Sequence, residues 1–198
     1  MGLGKQAKVL TRPQIEVVTT YLSRKRNGLR YQTIFLLSTR AGLRAKEISD
    51  LTWSMVLGSD GELSPLINLT NSASKGQSGR IIPINRTLLT HLSHLYEVER
   101  VKRGFTTDNR IIRTERSNST TPQVIVNLFK GWYTELGFVG CSSHSGRRTF
   151  ITNAARKIST VGGSLRDVQF LAGHSSLQTT QRYIEGDAEA SQSVVNLV

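Results

Sequence analysis

Residues 51 to 84 interrupt a pattern that is otherwise helical, and this interruption limits the fold more than any other feature of the chain. Leu51 to Leu57 runs into the turn cluster Gly58-Ser59-Asp60-Gly61. Pro65-Leu66-Ile67-Asn68-Leu69 then reads as extended, and beyond the polar stretch SASKGQSG comes Arg80-Ile81-Ile82-Pro83-Ile84. Short apolar runs divided by glycine-rich turns predict three strands of a small antiparallel sheet. Pro83 has no N–H to give to a ladder and suits an edge.

On either side the apolar residues recur at helical spacing. Thr11 is placed to cap a first helix with Pro13 in its opening turn, and Ile15, Val18, Tyr21 and Leu22 follow along one face. A second helix is expected over 29–40, stopped by Gly42, and a third over 43–51. Later helices are expected over 87–103, 121–136, 143–157, 165–172 and 179–185. Ser164 and Asp167 form a capping-box pattern at the start of the fourth of these. DNRIIRTERSNST reads as a charged loop with a brief extended core. With no internal repeat or low-complexity linker, 1–198 reads as one α+β domain, mainly helical. Residues 1–10 form an extension and 186–198 a tail.

Charge narrows the class of partner. Twenty-six Lys and Arg against fourteen Asp and Glu leave +12, which points to a polyanion, most often nucleic acid. The competing reading is a basic surface that serves solubility or a ribosomal-type structural role. No apolar run approaches the roughly 20 residues of a membrane span. The opening MGLGKQ lacks a signal-peptide pattern, and a single cysteine, Cys141, excludes an internal disulfide and fits a reducing compartment. A cytoplasmic setting is therefore expected, with no membrane partner.

Four stretches put reactive side chains beside small residues or helix starts. TRAGLRAKE sets Arg44 three residues before Glu47, and SASKGQSG carries Lys75 at a hairpin tip. SSHSGRRTF places His144 and Arg147 on one face of a helix start, where N–H groups and a guanidinium both favour an anion. LAGHSSLQTTQRYIE supplies His174 and Tyr183. Taken singly, most have an ordinary structural reading: a surface ion pair, a solvated lysine, a packed histidine and a half-buried tyrosine. Cys141 with His144, or His91 with His94, gives too few ligands for zinc, and no phosphate-binding loop pattern is present.

Taken in order, Arg44, Lys75, His144-x-x-Arg147, His174 and Tyr183 resemble the active-site series of the tyrosine recombinases, the phage integrase family. The matching motifs are AGLRAKE, SKGQSGRIIP, HSGR and LAGHSSLQTTQRY, over about Thr11 to Tyr183. The resemblance implies that family's catalytic-domain fold and a site-specific recombinase that cuts and rejoins DNA through a 3′-phosphotyrosine, with Tyr183 as nucleophile. Under it Arg44, Arg147 and His174 bind the phosphate oxygens, His144 accepts a proton, Lys75 donates one, and Glu47 orients Arg44. Arg148 and Arg80 become DNA contacts. No metal, ATP or other cofactor is implied. The implied partners are a double-stranded recombination site and further copies of the chain, a tetramer exchanging C-terminal tails, in the nucleoid of a bacterial or phage context. A type IB topoisomerase and a basic DNA-binding module that never cuts are the alternatives. Gly146 and Arg148 depart from the Leu and His common in the family. About ten residues before Thr11 do not supply the N-terminal core-binding domain of fuller members, so a fragment or a minimal recombinase is expected.

Overall fold

Thr11 caps α1 (Arg12–Ser23) as its sequence predicts: its hydroxyl accepts from the Gln14 N–H, and the Gln14 side chain accepts from the Thr11 N–H. In the computed structural model, which describes residues 6–74, 78–114, 117–184 and 195, this helix buries Ile15, Val18 and Leu22. They pack toward α2 (Gly28–Ala41), the central helix, whose Ile34, Phe35 and Leu37 are fully buried. Gly42 ends α2 at φ 67°, a left-handed conformation that costs glycine little, and the chain turns into α3 (Ala45–Asp50). α4 (Arg86–Arg100) and α5 (Pro122–Glu135) close the larger core, where Phe129 lies against Phe35 and Trp132.

The sheet is smaller than expected. β1 (Leu66–Leu69) and β2 (Arg80–Pro83) pair antiparallel, with Leu66 opposite Pro83 and Leu69 opposite Arg80. The third expected run, 51–57, forms a 3-10 turn at Trp53–Met55 instead. Leu57 makes only an isolated bridge to Leu63, and Thr52 one to Arg110. The cause is packing: the Trp53 indole is buried against the rings of Tyr96 and Phe105 at 5.0 and 6.4 Å, and the backbone curls to seat it. Among the described residues of the charged loop, the expected extended core is limited to the single bridge at Arg110, after which Ile111 and Ile112 are buried in a bend.

The remaining helices are α6 (Ser145–Lys157), α7 (Leu165–Ala172) and α8 (Leu177–Gln181). Ser164 and Asp167 form the expected capping box on α7. α8 starts two residues before the expected 179, because Ser176 caps it by accepting from the Thr179 N–H. A second, smaller core of Ile151, Val168 and Ala172, flanked by Phe150, Leu165 and Tyr183, seats α7 and the C-terminal segment on α6.

Gly146 explains how α6 approaches α2. A Cβ there would lie 2.4 Å from the Ser38 Oγ and 2.9 Å from its Cβ. The glycine that departs from the family habit is thus a point of close helix contact rather than a gap. Among the described residues no helix is long and apolar enough to cross a membrane.

Candidate active site

Arg147 sits in the first turn of α6 and is 4% exposed. It donates to the Gly42 carbonyl oxygen at 2.5 Å and to the Ala172 carbonyl oxygen at 2.6 Å. Gly42 caps α2 and Ala172 is the last residue of α7, so both carbonyls belong to helix C-termini that lack an intrahelical partner. The guanidinium satisfies both negative helix ends while holding itself in a fixed plane. Burial, and then the charge of Arg44, push its pKa down to about 10, so it stays cationic at neutral pH.

Arg44 and Arg80 share Glu47. The fully buried carboxylate accepts from the Arg44 backbone N–H at 2.8 Å and from its guanidinium at 3.0 Å. Arg80 approaches the same carboxylate with two nitrogens, at 2.9 and 3.2 Å. Burial raises the Glu47 pKa, but the hydrogen bonds and charge of Arg80, together with Arg44, outweigh it and leave the pKa below the ordinary carboxylate value. Arg80 was expected to face DNA; its side chain is only 7% exposed, and its Nε donates to the Leu171 carbonyl oxygen. Its Nε, Nη1 and Nη2 each donate inside the protein, so it holds Glu47 and the end of α7. Arg44 keeps 23% of its side chain exposed.

His174 follows Gly173, the left-handed residue that ends α7. Gln169 grips its backbone from both sides: the His174 N–H donates to the Gln169 carbonyl oxygen at 3.1 Å, and the Gln169 amide donates to the His174 carbonyl oxygen at 3.0 Å. The imidazole Nδ1 lies 2.9 Å from the Thr180 hydroxyl, and the ring stacks on Tyr183 at 5.4 Å between centroids. Burial, then the charges of Arg147, Arg44 and Arg80, depress the His174 pKa to about 4. The ring is therefore neutral at physiological pH. Arg148 places its guanidinium carbon 5.6 Å from the Tyr183 ring centroid.

Arg44, His144, Arg147, Arg148, His174 and Tyr183 line one cleft of about 490 Å³. His144 enters it from the residue preceding α6. A neighbouring cleft of about 540 Å³ shares Arg44 and His174 and extends to Gly79 and Arg80, on the hairpin side. Lys75 lies outside the described residues, as does the tail over 186–198 apart from 195. No cluster of three or more potential metal ligands occurs among the described residues. Sequence reasoning missed Gln169 and Thr180. Neither stands at a spacing that marks it, because a turn and a short helix separate them from His174 in ways only the fold defines.

Two solved structures share this fold. The crystal structure of XerA recombinase superposes with a TM-score of 0.75 at 19% identity, covering 96% of this chain and 64% of that one. The Tn1549 transposon integrase in complex with a circular intermediate DNA gives 0.74 at 15% identity, covering 99% and 67%. The chain belongs to the phage integrase family, whose model matches residues 8–190. Tyrosine recombinase XerA of Thermococcus onnurineus is 31% identical over 186 residues, covering 92% of this chain and 59% of the relative. Tyrosine recombinase XerD of Listeria innocua is 28% identical over 159 residues, covering 79% and 50%. The chain thus spans between half and three-fifths of the length of these curated relatives.

Proposed function

We propose that this chain is the catalytic part of a site-specific DNA recombinase that exchanges strands through a 3′-phosphotyrosine. The observation that carries the reading is the single cleft in which the guanidiniums of Arg44 and Arg147, the imidazoles of His144 and His174 and the phenol of Tyr183 meet. The Tyr183 oxygen attacks a backbone phosphorus, the bond to the 5′-oxygen breaks, and the phosphodiester becomes a phosphotyrosine ester. A strand 5′-hydroxyl then reverses the step. One ester replaces another, so the reaction balances without ATP.

The five-coordinate transition state carries extra negative charge on its non-bridging oxygens. Arg44 and Arg147 bind those oxygens through forked N–H groups that do not lose their protons, and neutral His174 adds a third donor. Each preorganised donor of this kind lowers a barrier by about 3–4 kcal/mol. His144 takes the phenol proton, and Lys75 returns one to the departing 5′-oxygen. Glu47, braced by Arg80, orients Arg44. Arg148 binds a flanking phosphate.

A net charge of +12 supports a duplex DNA partner, as do the DNA complexes of integrases and recombinases with the same fold. The working unit is a tetramer on the recombination site, with the C-terminal tails exchanged between copies, in the nucleoid of a bacterial or phage-carrying cell. Duplexes tiled from DNA flanking the gene, each with a nick that traps the cleaved end, test the reading. A protein-linked strand that survives SDS is the expected product; the absence of any such species across the tiled set would sink it.

A further inference from the structure

Five threonines in the helices of this chain share one habit. Thr19, Thr33, Thr39, Thr90 and Thr149 each donate their hydroxyl to the carbonyl oxygen four residues earlier. Thr180 of α8 does otherwise. It is fully buried, and its hydroxyl meets the Nδ1 of His174 at 2.9 Å. A buried hydroxyl is costly to leave unpaired, and the ring nitrogen of the half-buried His174 is its partner.

We infer that Thr180 is a positioning residue: its hydroxyl donates to Nδ1 of His174, which fixes the ring and leaves the proton on Nε2, facing the cleft. Two tautomers are compatible with a neutral imidazole at this distance. If Nδ1 carried the proton, Nε2 would turn a lone pair toward the oxygens of a bound phosphodiester and repel them. If Nδ1 accepts from the threonine, Nε2–H becomes a donor aimed at those oxygens. A bound oxyanion therefore selects the second state, and the threonine hydroxyl, free to rotate, supplies the matching proton. Gln169 already holds the His174 backbone in both directions, so the ring torsions are the freedom left for Thr180 to fix.

Thr180 also reaches the nucleophile. Its carbonyl oxygen accepts from the Tyr183 N–H at 3.1 Å, so one residue links the imidazole through its side chain and the tyrosine through its backbone. The side chain can thus be changed while the tie to Tyr183 stays.

The inference rests on the recombinase reading, and its test separates the two. Thr180→Val keeps the shape and removes the hydroxyl; Thr180→Ser keeps the hydroxyl. Single-turnover cleavage of a nicked duplex is expected to slow about tenfold to a hundredfold in the valine variant, the scale for losing the partner that orients a functional histidine. The serine variant is expected within about threefold of wild type, and DNA binding by both is expected unchanged. Long-range proton–nitrogen NMR of His174, with inorganic phosphate as the oxyanion probe, is expected to show a single Nε2–H tautomer in wild type and in Thr180→Ser. A wild-type ring protonated at Nδ1, or wild-type cleavage by Thr180→Val, overturns the inference. Should the valine variant not fold, the wild-type NMR and the serine variant still decide. If wild type forms no covalent product at all, the recombinase reading fails, and the NMR result alone judges the tie between Thr180 and His174.

Discussion

The Arg147 guanidinium donates to the carbonyl oxygen of Gly42 at 2.5 Å, joining residues 105 apart in sequence. With its bond to Ala172, this places one cation across the ends of two helices, α2 and α7. A side chain held at both carbonyls needs little rearrangement when a phosphate arrives, which is the property asked of a transition-state donor.

Arg147→Lys keeps the charge and loses the fork. One ammonium cannot meet both carbonyls and a phosphate oxygen in the same plane. The single-turnover cleavage rate is expected to fall by about 10²- to 10³-fold, while affinity in a gel-shift assay changes little. A wild-type rate would mean that charge alone suffices.

Glu47→Gln leaves two guanidiniums facing an uncharged, half-donating amide in a buried position. Removing one partner of a buried ion pair costs about 3–5 kcal/mol, so the thermal midpoint is expected to drop by several degrees. Replacing Arg80 by Met in the same protein should recover part of the loss, because the paired burial of charge then disappears. If the double variant is no more stable than the single one, Arg80 is not what Glu47 pairs with energetically.

Gly146→Ala sets two effects against each other. Alanine gains about 1 kcal/mol of helix propensity over glycine, but its Cβ would meet the Ser38 Oγ at 2.4 Å. Overpacking of this kind costs about 1–3 kcal/mol, so denaturant unfolding should show a net loss. Ser38→Gly removes both clashing atoms and is expected to reverse the sign. Stabilisation by the alanine alone would show that the two helices separate easily.

The pH dependence of stability follows from His174, whose pKa falls from the ordinary 6.5 to about 4 on folding. Between these values the unfolded chain binds the extra proton and the folded one does not, so stability decreases as pH drops from about 6.5 to 4. Glu47 acts in the same direction at lower pH: its carboxyl lies below the ordinary value when folded, and its contribution is lost as pH falls through that lowered pKa. Thermal melts of His174→Asn should have a flatter slope than wild type over this range. Equal slopes would contradict a half-buried imidazole held neutral by the fold.

Much of the lining of this candidate site was legible in the sequence, because the proposed chemistry asks for particular side chains. The fork of an arginine and the phenol of a tyrosine stand at Arg44, Arg147 and Tyr183 in a fixed order, and the cleft gathers them. Helix ends were legible where a cap marks them, as at Thr11, Gly42 and Ser164. The stretch around Trp53 was not, since a short apolar run before a glycine-rich turn reads as a strand until the indole's burial bends it. Nor was the inward turn of Arg80: a basic residue in a basic chain looks solvent-facing until a buried carboxylate, thirty-three residues away, takes its donors. Such pairings are made by tertiary geometry and leave no local trace.

The central claim is that Tyr183 itself becomes joined to DNA. Wild type and Tyr183→Phe, compared on the same trapping duplex, decide it, with the SDS-stable adduct digested and its linked peptide sequenced by mass spectrometry. The account predicts that wild type yields one nucleotide-bearing peptide containing Tyr183 and that the phenylalanine variant binds the duplex without forming any adduct. An adduct that persists in Tyr183→Phe, or that maps to another residue, would contradict it.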